Sequence, residues 1–456
     1  MAHLARTATL LMVEGKPTVA RLHQKKRRRC TTDRRALHAG MGRRTSGALA
    51  MTQATATSTE PQGAGRRSWL FLLAYALAYA GGVIAYLPLL TLLLPLKVAQ
   101  LAGPERIGLF SAIVIGGALA ASISNVLFGW LSDRSVRRGG GRRRWMVIGL
   151  AGTCCSFLAV ALASSAATIM AAIVLFQISV NALLGPLMAI MADEVPDTQK
   201  GVAGGLLSAA VPIASAVSAV LVGLVWAGEG LRLTILAAVV IAACLPLLLT
   251  PARMAPAAPL PAQGAAMPRR DLVTAWGARL LVQVAGNALS LYLLYYFQSI
   301  VPTTGAGELA PRVGNLLTIA YILSLPVALL AGRASDRLGR RKPVLLAGAL
   351  FAAAGLLGMA LANDWRWAAI CFAVYAIGSA VFLALHAAFA MQLLPSPANR
   401  GRDLGLLNLA NTLPALLGPL LTWALATPED FGAVMMVLAF LTLAGGLAMI
   451  GVRSRS

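Results

Sequence analysis

The chain has 456 residues, of which 58% are hydrophobic and only 12% charged, about half the charged fraction of a soluble domain. That is too little polar surface to face water, and lipid is the expected surrounding for most of the chain. The net charge of +23 lies in short segments between apolar runs, without basic–aromatic patches, so topology signals in a membrane explain it better than nucleic-acid binding. Five cysteines without a CxxC pair and four histidines, only His386 among them in the apolar body, exclude a zinc cluster or a disulfide framework. No cofactor and no metal are expected.

Residues 1–67 are basic and unpatterned, with KKRRR at 25–29, and read as a disordered tail. An alternative is that translation starts at Met41 or Met51, which leaves a short polar lead-in. Apolar runs long enough to cross a bilayer as helices follow at 69–94, 108–131, 145–163, 168–192, 202–227 and 232–250. A Pro- and Ala-rich segment, 251–271, reads as a flexible linker. Six more runs lie at 272–300, 313–332, 344–363, 367–392, 403–425 and 431–451. The expected architecture is all-α: twelve transmembrane helices in two pseudo-symmetric six-helix bundles, 68–250 and 272–452, with a tail at 453–456.

From residue 66 onward, the segments assigned to one side carry 21 Lys and Arg, and those on the other carry five: Lys97, Arg106, Arg232, Arg312 and Arg366. By the positive-inside rule both termini are expected in the cytoplasm, in a multi-pass protein of the cytoplasmic membrane. The two halves also echo one another. GWLSDR (129–134) matches GRASDR (332–337), and Lys200-Gly201 in PDTQKGVAGG matches Arg400-Gly401 in PSPANRGRDLG at nearly the same offset. Such internal repeats are frequent in secondary transporters.

These motifs resemble the major facilitator superfamily, whose loop between the second and third helices reads roughly G-x-L-A-D-R-x-G-R-R/K. GRASDRLGRRKP (332–343) follows it closely, with Ala334 at the usual Leu. GWLSDR follows it in the first half, but SVRRGG intervenes before the arginines. DRSVRRGGGRRRW is also similar to the corresponding loop of sugar–cation symporters, without the Pro before Trp145, and NRGRDLGLLNLANTLP (399–414) resembles a stretch of related bacterial facilitators. The fifth span, SAAVPIASAVSAV, lacks the Gly-Pro-x-x-Gly-Gly ending of drug–proton antiporters.

The resemblance implies an alternating-access carrier with a cytoplasmic latch built from Asp133, Arg134, Asp193, Asp336, Arg337, Arg340 and Asp403. It implies that Asp133 faces the eleventh span and Asp336 the fifth. It also implies that the first, fourth, seventh and tenth spans line the substrate path. Each of these carries polar residues at helical spacing: Tyr75 and Tyr79; Gln177 and Asn181; Arg279, Gln283 and Asn287; Tyr375, Ser379 and His386. Amides and tyrosines suit a neutral polar solute, sugar-like first, whereas Arg279 in the cavity favours an anionic group; helix packing is the competing explanation for each. Carboxylates sit at span ends, which leaves Asp193 and His386 as candidates for coupling to a proton or sodium ion and keeps uncoupled facilitation open. A proton-coupled drug or metabolite efflux antiporter is the alternative function. A membrane enzyme or assembly factor is less favoured, since the acids Asp193, Glu194 and Asp197 have no nearby His or Cys. The expected partners are a small-molecule substrate and the bilayer, and the expected state is a monomer.

Overall fold

The computed structural model describes residues 66–253, 269–338, 341–393 and 413–452. Regular structure there is helical throughout, as expected where hydrocarbon leaves backbone groups no partner outside their own helix. Helix α1 (Trp69–Pro88) starts on Ser68, whose hydroxyl accepts from the Phe71 amide. Pro88 lacks an N–H and crowds the preceding turn, and the chain widens into a π-turn over Leu89–Leu93 before α2 (Leu94–Ala102). Gly103, at φ +51, reverses the chain through a short 3-10 turn into α3 (Arg106–Arg137). Then come α4 (Arg143–Leu162), α5 (Ala166–Glu194), α6 (Asp197–Leu207), α7 (Ala210–Gly223) and α8 (Glu229–Leu249). After the linker follow α9 (Arg269–Ile300), α10 (Ala306–Leu338), α11 (Arg341–Ala360), α12 (Trp365–Leu393), α13 (Pro414–Leu425) and α14 (Gly432–Ala448).

The fifth predicted span is two helices. Pro212 cannot bond to the carbonyl four residues back, Ser208, and α6 gives way to α7 at Ser208–Ala209, where the Ser208 hydroxyl donates to the Gly205 carbonyl at 2.6 Å. Among the described residues ten helical segments are long and apolar enough to cross a membrane, the first a 69-residue run, Trp69–Arg137; Pro414–Leu425 is a shorter apolar helix.

Packing separates by sequence. Helix α1 packs on α7 and α8, and α4 on α5 and α8; farther on, α11 packs on α12 and α14, and α9 on α14. The main contacts between these sets are α7 on α10 and α3 on α13. Two close helix pairs repeat between the halves. A Cβ on Gly149 of α4 would lie 2.6 Å from the Ala182 carbonyl carbon of α5, and one on Gly355 of α11 would lie 2.6 Å from the Cys371 carbonyl oxygen of α12. Small residues here allow backbone-close packing where lipid offers no hydrophobic drive between helices. Large apolar side chains such as Ile123, Val126, Leu162, Leu249 and Phe440 point outward, which suits a hydrocarbon surrounding.

Candidate functional site

Two adjoining cavities lie where the two helix sets meet. The larger, about 530 Å³, is lined by Tyr86, Gln283, Asn287, Tyr321, Tyr375 and Ser379 among others. The smaller, about 240 Å³, takes in Asn125, Gln177 and Asn181. Tyr86, Leu90, Asn287 and Leu291 line both, so the cavities form one cleft. No charged side chain lines either cavity among the described residues.

The polar lining is organised by local bonding. The Asn125 amide donates to Asn181 Oδ1 at 3.2 Å, and the Asn181 amide donates to the Gln177 carbonyl at 2.8 Å. That leaves the Gln177 side chain as the more adaptable group on this wall. On the facing wall Asn287 Oδ1 has no protein hydrogen-bond partner. It lies toward α13, where a Cβ on Gly418 would stand 3.1 Å from it, and a buried polar atom is costly when unmade. Gly286 makes room for the Tyr375 hydroxyl, which would stand 3.3 Å from a Cβ at that position. Apolar Leu90, Leu289, Leu291 and Phe372 complete a site with both polar and apolar faces.

Six of the ten proposed substrate residues line the cleft: Gln177, Asn181, Gln283, Asn287, Tyr375 and Ser379. Tyr75 is instead fully buried and donates to the Leu187 carbonyl at 3.3 Å, and Tyr79 packs half-buried against the core. His386 is buried, its Nε2 lies 2.7 Å from the Ala275 carbonyl of α9, and its ring stacks on Phe382. Arg279 stays on the α9 face of Gln283 and Asn287 but does not line the cleft. Tyr86, Asn125, Ser290 and Tyr321 were not predicted. Tyr86 continues the Tyr75–Tyr79 spacing by two helical turns, a legible signal; Asn125 and Tyr321 lie on spans outside the four implied by family resemblance.

The arginine-rich loop is well bonded. Helix α3 runs past GWLSDR to Arg137, so the inserted SVR prolongs the helix. Gly139 at φ +75 then turns the chain, with the Gly140 amide donating to the Ser135 carbonyl at 2.9 Å. This returns Arg142 to Asp133 (2.8 Å) and Ser132 (2.9 Å), and its Nε reaches Asp193 of α5 at 2.6 Å. Burial opposes the Arg142 charge, but its bonds to Asp133 and Asp193 outweigh burial and hold its pKa above the ordinary arginine value. The next residue, Arg143, donates to both oxygens of Glu194 at 2.8 and 3.2 Å. Arg67, ahead of α1, also pairs with Glu194, whose Oε2 accepts the Arg253 amide at 3.3 Å. Burial lowers the Arg67 pKa, against the pull of Glu194. Asp133 thus binds within its own helix set. Arg134 and Arg337 are exposed. The Asp336 side chain, Arg340 and Asp403 lie outside what is described.

At the opposite end, hydrogen bonds join the two sets. Tyr295 donates to the Pro95 carbonyl at 2.9 Å, the Ser111 and Tyr292 hydroxyls meet at 2.6 Å, and Arg106 reaches the Pro428 carbonyl at 3.4 Å. Phe110 packs edge-on against both tyrosines. Ser215 and Thr318, in the half of the molecule nearer this end, are 3.2 Å apart.

A helical membrane protein whose two helix sets, bonded together near one end, enclose a polar cleft that is uncharged among the described residues has the build of a solute carrier rather than an enzyme. The family model of the Major Facilitator Superfamily matches residues 70–310 and 280–456, and the chain belongs to that superfamily of secondary transporters. A multidrug resistance protein, MdtH, of Edwardsiella ictaluri (strain 93-146) is 31% identical over 166 residues, 35% of this chain and 40% of that relative, so the match spans well under half of it. Among solved structures, a D-xylose–proton symporter superposes with a TM-score of 0.63 at 16% identity, covering 85% of this chain and 98% of that one. A bacterial homologue of the lysosomal transporter Spinster, inward-facing and unoccupied, gives 0.58 at 16% identity, covering 83% and 94%. These two likenesses are of fold.

Proposed function

We propose that the chain moves a small neutral polyhydroxylated solute, sugar-like, by alternating access. The observation that carries this reading is the uncharged cleft of amides, tyrosines and hydroxyls facing apolar and aromatic walls. Amides donate and accept along hydroxyl groups, and aromatic faces cover the C–H surface of a sugar ring. Among the described residues no carboxylate lines the cleft, which supports facilitated diffusion or exchange over proton symport through a cavity acid. Asp193 and His386 remain the coupling candidates, although each is already bonded, to Arg142 and to the Ala275 carbonyl.

The topology behind this reading has twelve spans in two six-helix bundles, 68–250 and 272–452. The run Trp69–Arg137 counts as two spans turning at Gly103, and Pro414–Leu425 is the end of the eleventh. The arginine-rich end is cytoplasmic, in the cytoplasmic membrane, with both termini on that side. All four described hydrogen bonds between the bundles lie toward the other end. This supports an inward-facing form in which Asp133, bonded to Arg142 of its own bundle, is released from the opposite one. Closure of the cytoplasmic side re-forms the latch as the carrier turns outward.

The test is counterflow of labelled pentoses, hexoses and disaccharides in proteoliposomes of the purified chain. Exchange of at least one, lost on Asn287→Ala, is the expected result. A second reading, export of an amphipathic compound, is favoured by the partial likeness to a multidrug resistance protein and by the aromatic lining. No exchange of any sugar, together with proton-driven dye extrusion, overturns the first reading in favour of the second.

A further inference from the structure

A third cavity, of about 540 Å³, lies at the end opposite the arginine-rich loop, beyond the tyrosine bonds that join the two sets. Its walls come from both sets: Gln100 of α2 and Arg106 of α3 on one side, Gln298 and Ser299 of α9 and Thr304 of the α9–α10 turn on another, and Glu429 of the α13–α14 turn. Among the described residues the cleft above has no charged lining, whereas this vestibule holds a guanidinium and a carboxylate. No ion pair between Arg106 and Glu429 occurs among the described residues. Arg106 donates instead to two backbone carbonyls, Gly103 at 3.1 Å and Pro428 at 3.4 Å, the second near the limit of a hydrogen bond. The Gln298 side-chain oxygen has no hydrogen-bond partner.

A polar cavity that keeps opposite charges apart, with amides and hydroxyls between them, is matched by a solute that donates on one side and accepts on the other. Vicinal hydroxyls do both. Each hydroxyl oxygen can accept from Arg106 while its proton goes to Glu429 or Gln100. Exchanging the long Arg106–Pro428 bond for a solute hydroxyl loses little. We infer that this vestibule is a second solute site, taking a neutral polyhydroxylated molecule between Arg106 and Glu429 before the transport cleft opens to that side. The inference rests on the sugar-like reading of the cleft and adds a separate place of recognition to it.

The test uses the full chain, purified in detergent, carrying Thr304→Cys. Maleimide labelling is followed by mass spectrometry of the peptide that contains residue 304, with D-xylose, D-glucose or sucrose present. At least one sugar is expected to slow labelling in a saturable way. Arg106→Gln or Glu429→Gln is expected to weaken that protection roughly tenfold in sugar concentration, the worth of one hydrogen bond to a charged group. Asn287→Ala is expected to leave it intact. Protection lost with Asn287→Ala but kept in Arg106→Gln and Glu429→Gln would assign the effect to the cleft and overturn the vestibule site. Absent protection from a sugar that exchanges in counterflow overturns the vestibule site and leaves the cleft reading standing. Absent protection together with absent counterflow for every sugar overturns both.

Discussion

Glu194→Ala is expected to be the most damaging single change at the arginine-rich end. The Glu194 side chain is 5% exposed, and its two ion-pair partners, Arg67 and Arg143, are 11% and 13% exposed. Removing the carboxylate leaves two guanidiniums facing each other out of water and frees the Arg253 amide, which donates to the same carboxylate. Breaking a buried pair by deleting one partner costs about 3–5 kcal/mol, most of it the desolvation of the charge left behind. For a chain of 456 residues that corresponds to a fall in apparent melting temperature of roughly 3–6 °C. The assay is thermal unfolding of detergent-purified protein, read by intrinsic fluorescence. Joint replacement of Arg67, Arg143 and Glu194 by Met is expected to cost less than Glu194→Ala alone, because no charge is then stranded. A melting temperature within about 1 °C of wild type for Glu194→Ala would refute the reasoning, since a pair that screens so readily is not desolvated.

Other outcomes follow from the two ends. Tyr292→Phe removes the 2.6 Å contact with Ser111 and should favour opening at that end roughly fivefold, measured as faster thiol labelling of a cysteine placed at Ser299. Gly314→Leu should block closure at that end altogether. A Cβ there would meet the Ala219 Cα at 2.9 Å, and distance distributions between spin labels on α7 and α10 should broaden to longer values. Asp133→Asn weakens a pair in which Asp133 is 59% exposed, so it should change the melting temperature little while slowing counterflow; equal loss of both would mark the residue as structural.

Most span positions were legible because hydrocarbon leaves so few options for an apolar run of twenty residues. The predicted 145–163 and 232–250 became Arg143–Leu162 and Glu229–Leu249. Proline produced two of the differences. The first span reaches Ala102 because Pro88 is absorbed by a π-turn, and the fifth divides ahead of Pro212. The start of the eleventh lies outside the described residues. In the site, helical spacing identified residues that share a face but not which neighbour that face meets. Gln283 and Asn287 face the cleft, whereas His386, on the helix of Tyr375 and Ser379, meets the Ala275 carbonyl of α9. Tyr75 is similar: the tyrosine signal on α1 was sound, but its cleft-facing member is Tyr86. The SVRRGG insertion disturbed the motif spacing without preventing Arg142 from reaching Asp133, because three inserted residues continue a helix and the glycines reverse it.

The ion pairs with described geometry, Arg67–Glu194, Lys97–Glu229, Arg142–Asp133, Arg142–Asp193 and Arg143–Glu194, all join parts of one helix set. The hydrogen bonds that hold the two sets together at the opposite end run instead between hydroxyls or to backbone carbonyls. Mobile ions weaken exposed charge pairs over about 8–10 Å but scarcely affect bonds between neutral groups. Raising the electrolyte concentration therefore weakens chiefly the exposed Arg142–Asp133 pair, spares the buried Glu194 pairs, and leaves the neutral hydroxyl and tyrosine bonds between the parts nearly as strong. A marine and a freshwater setting would present this carrier with almost the same barrier to opening at that end.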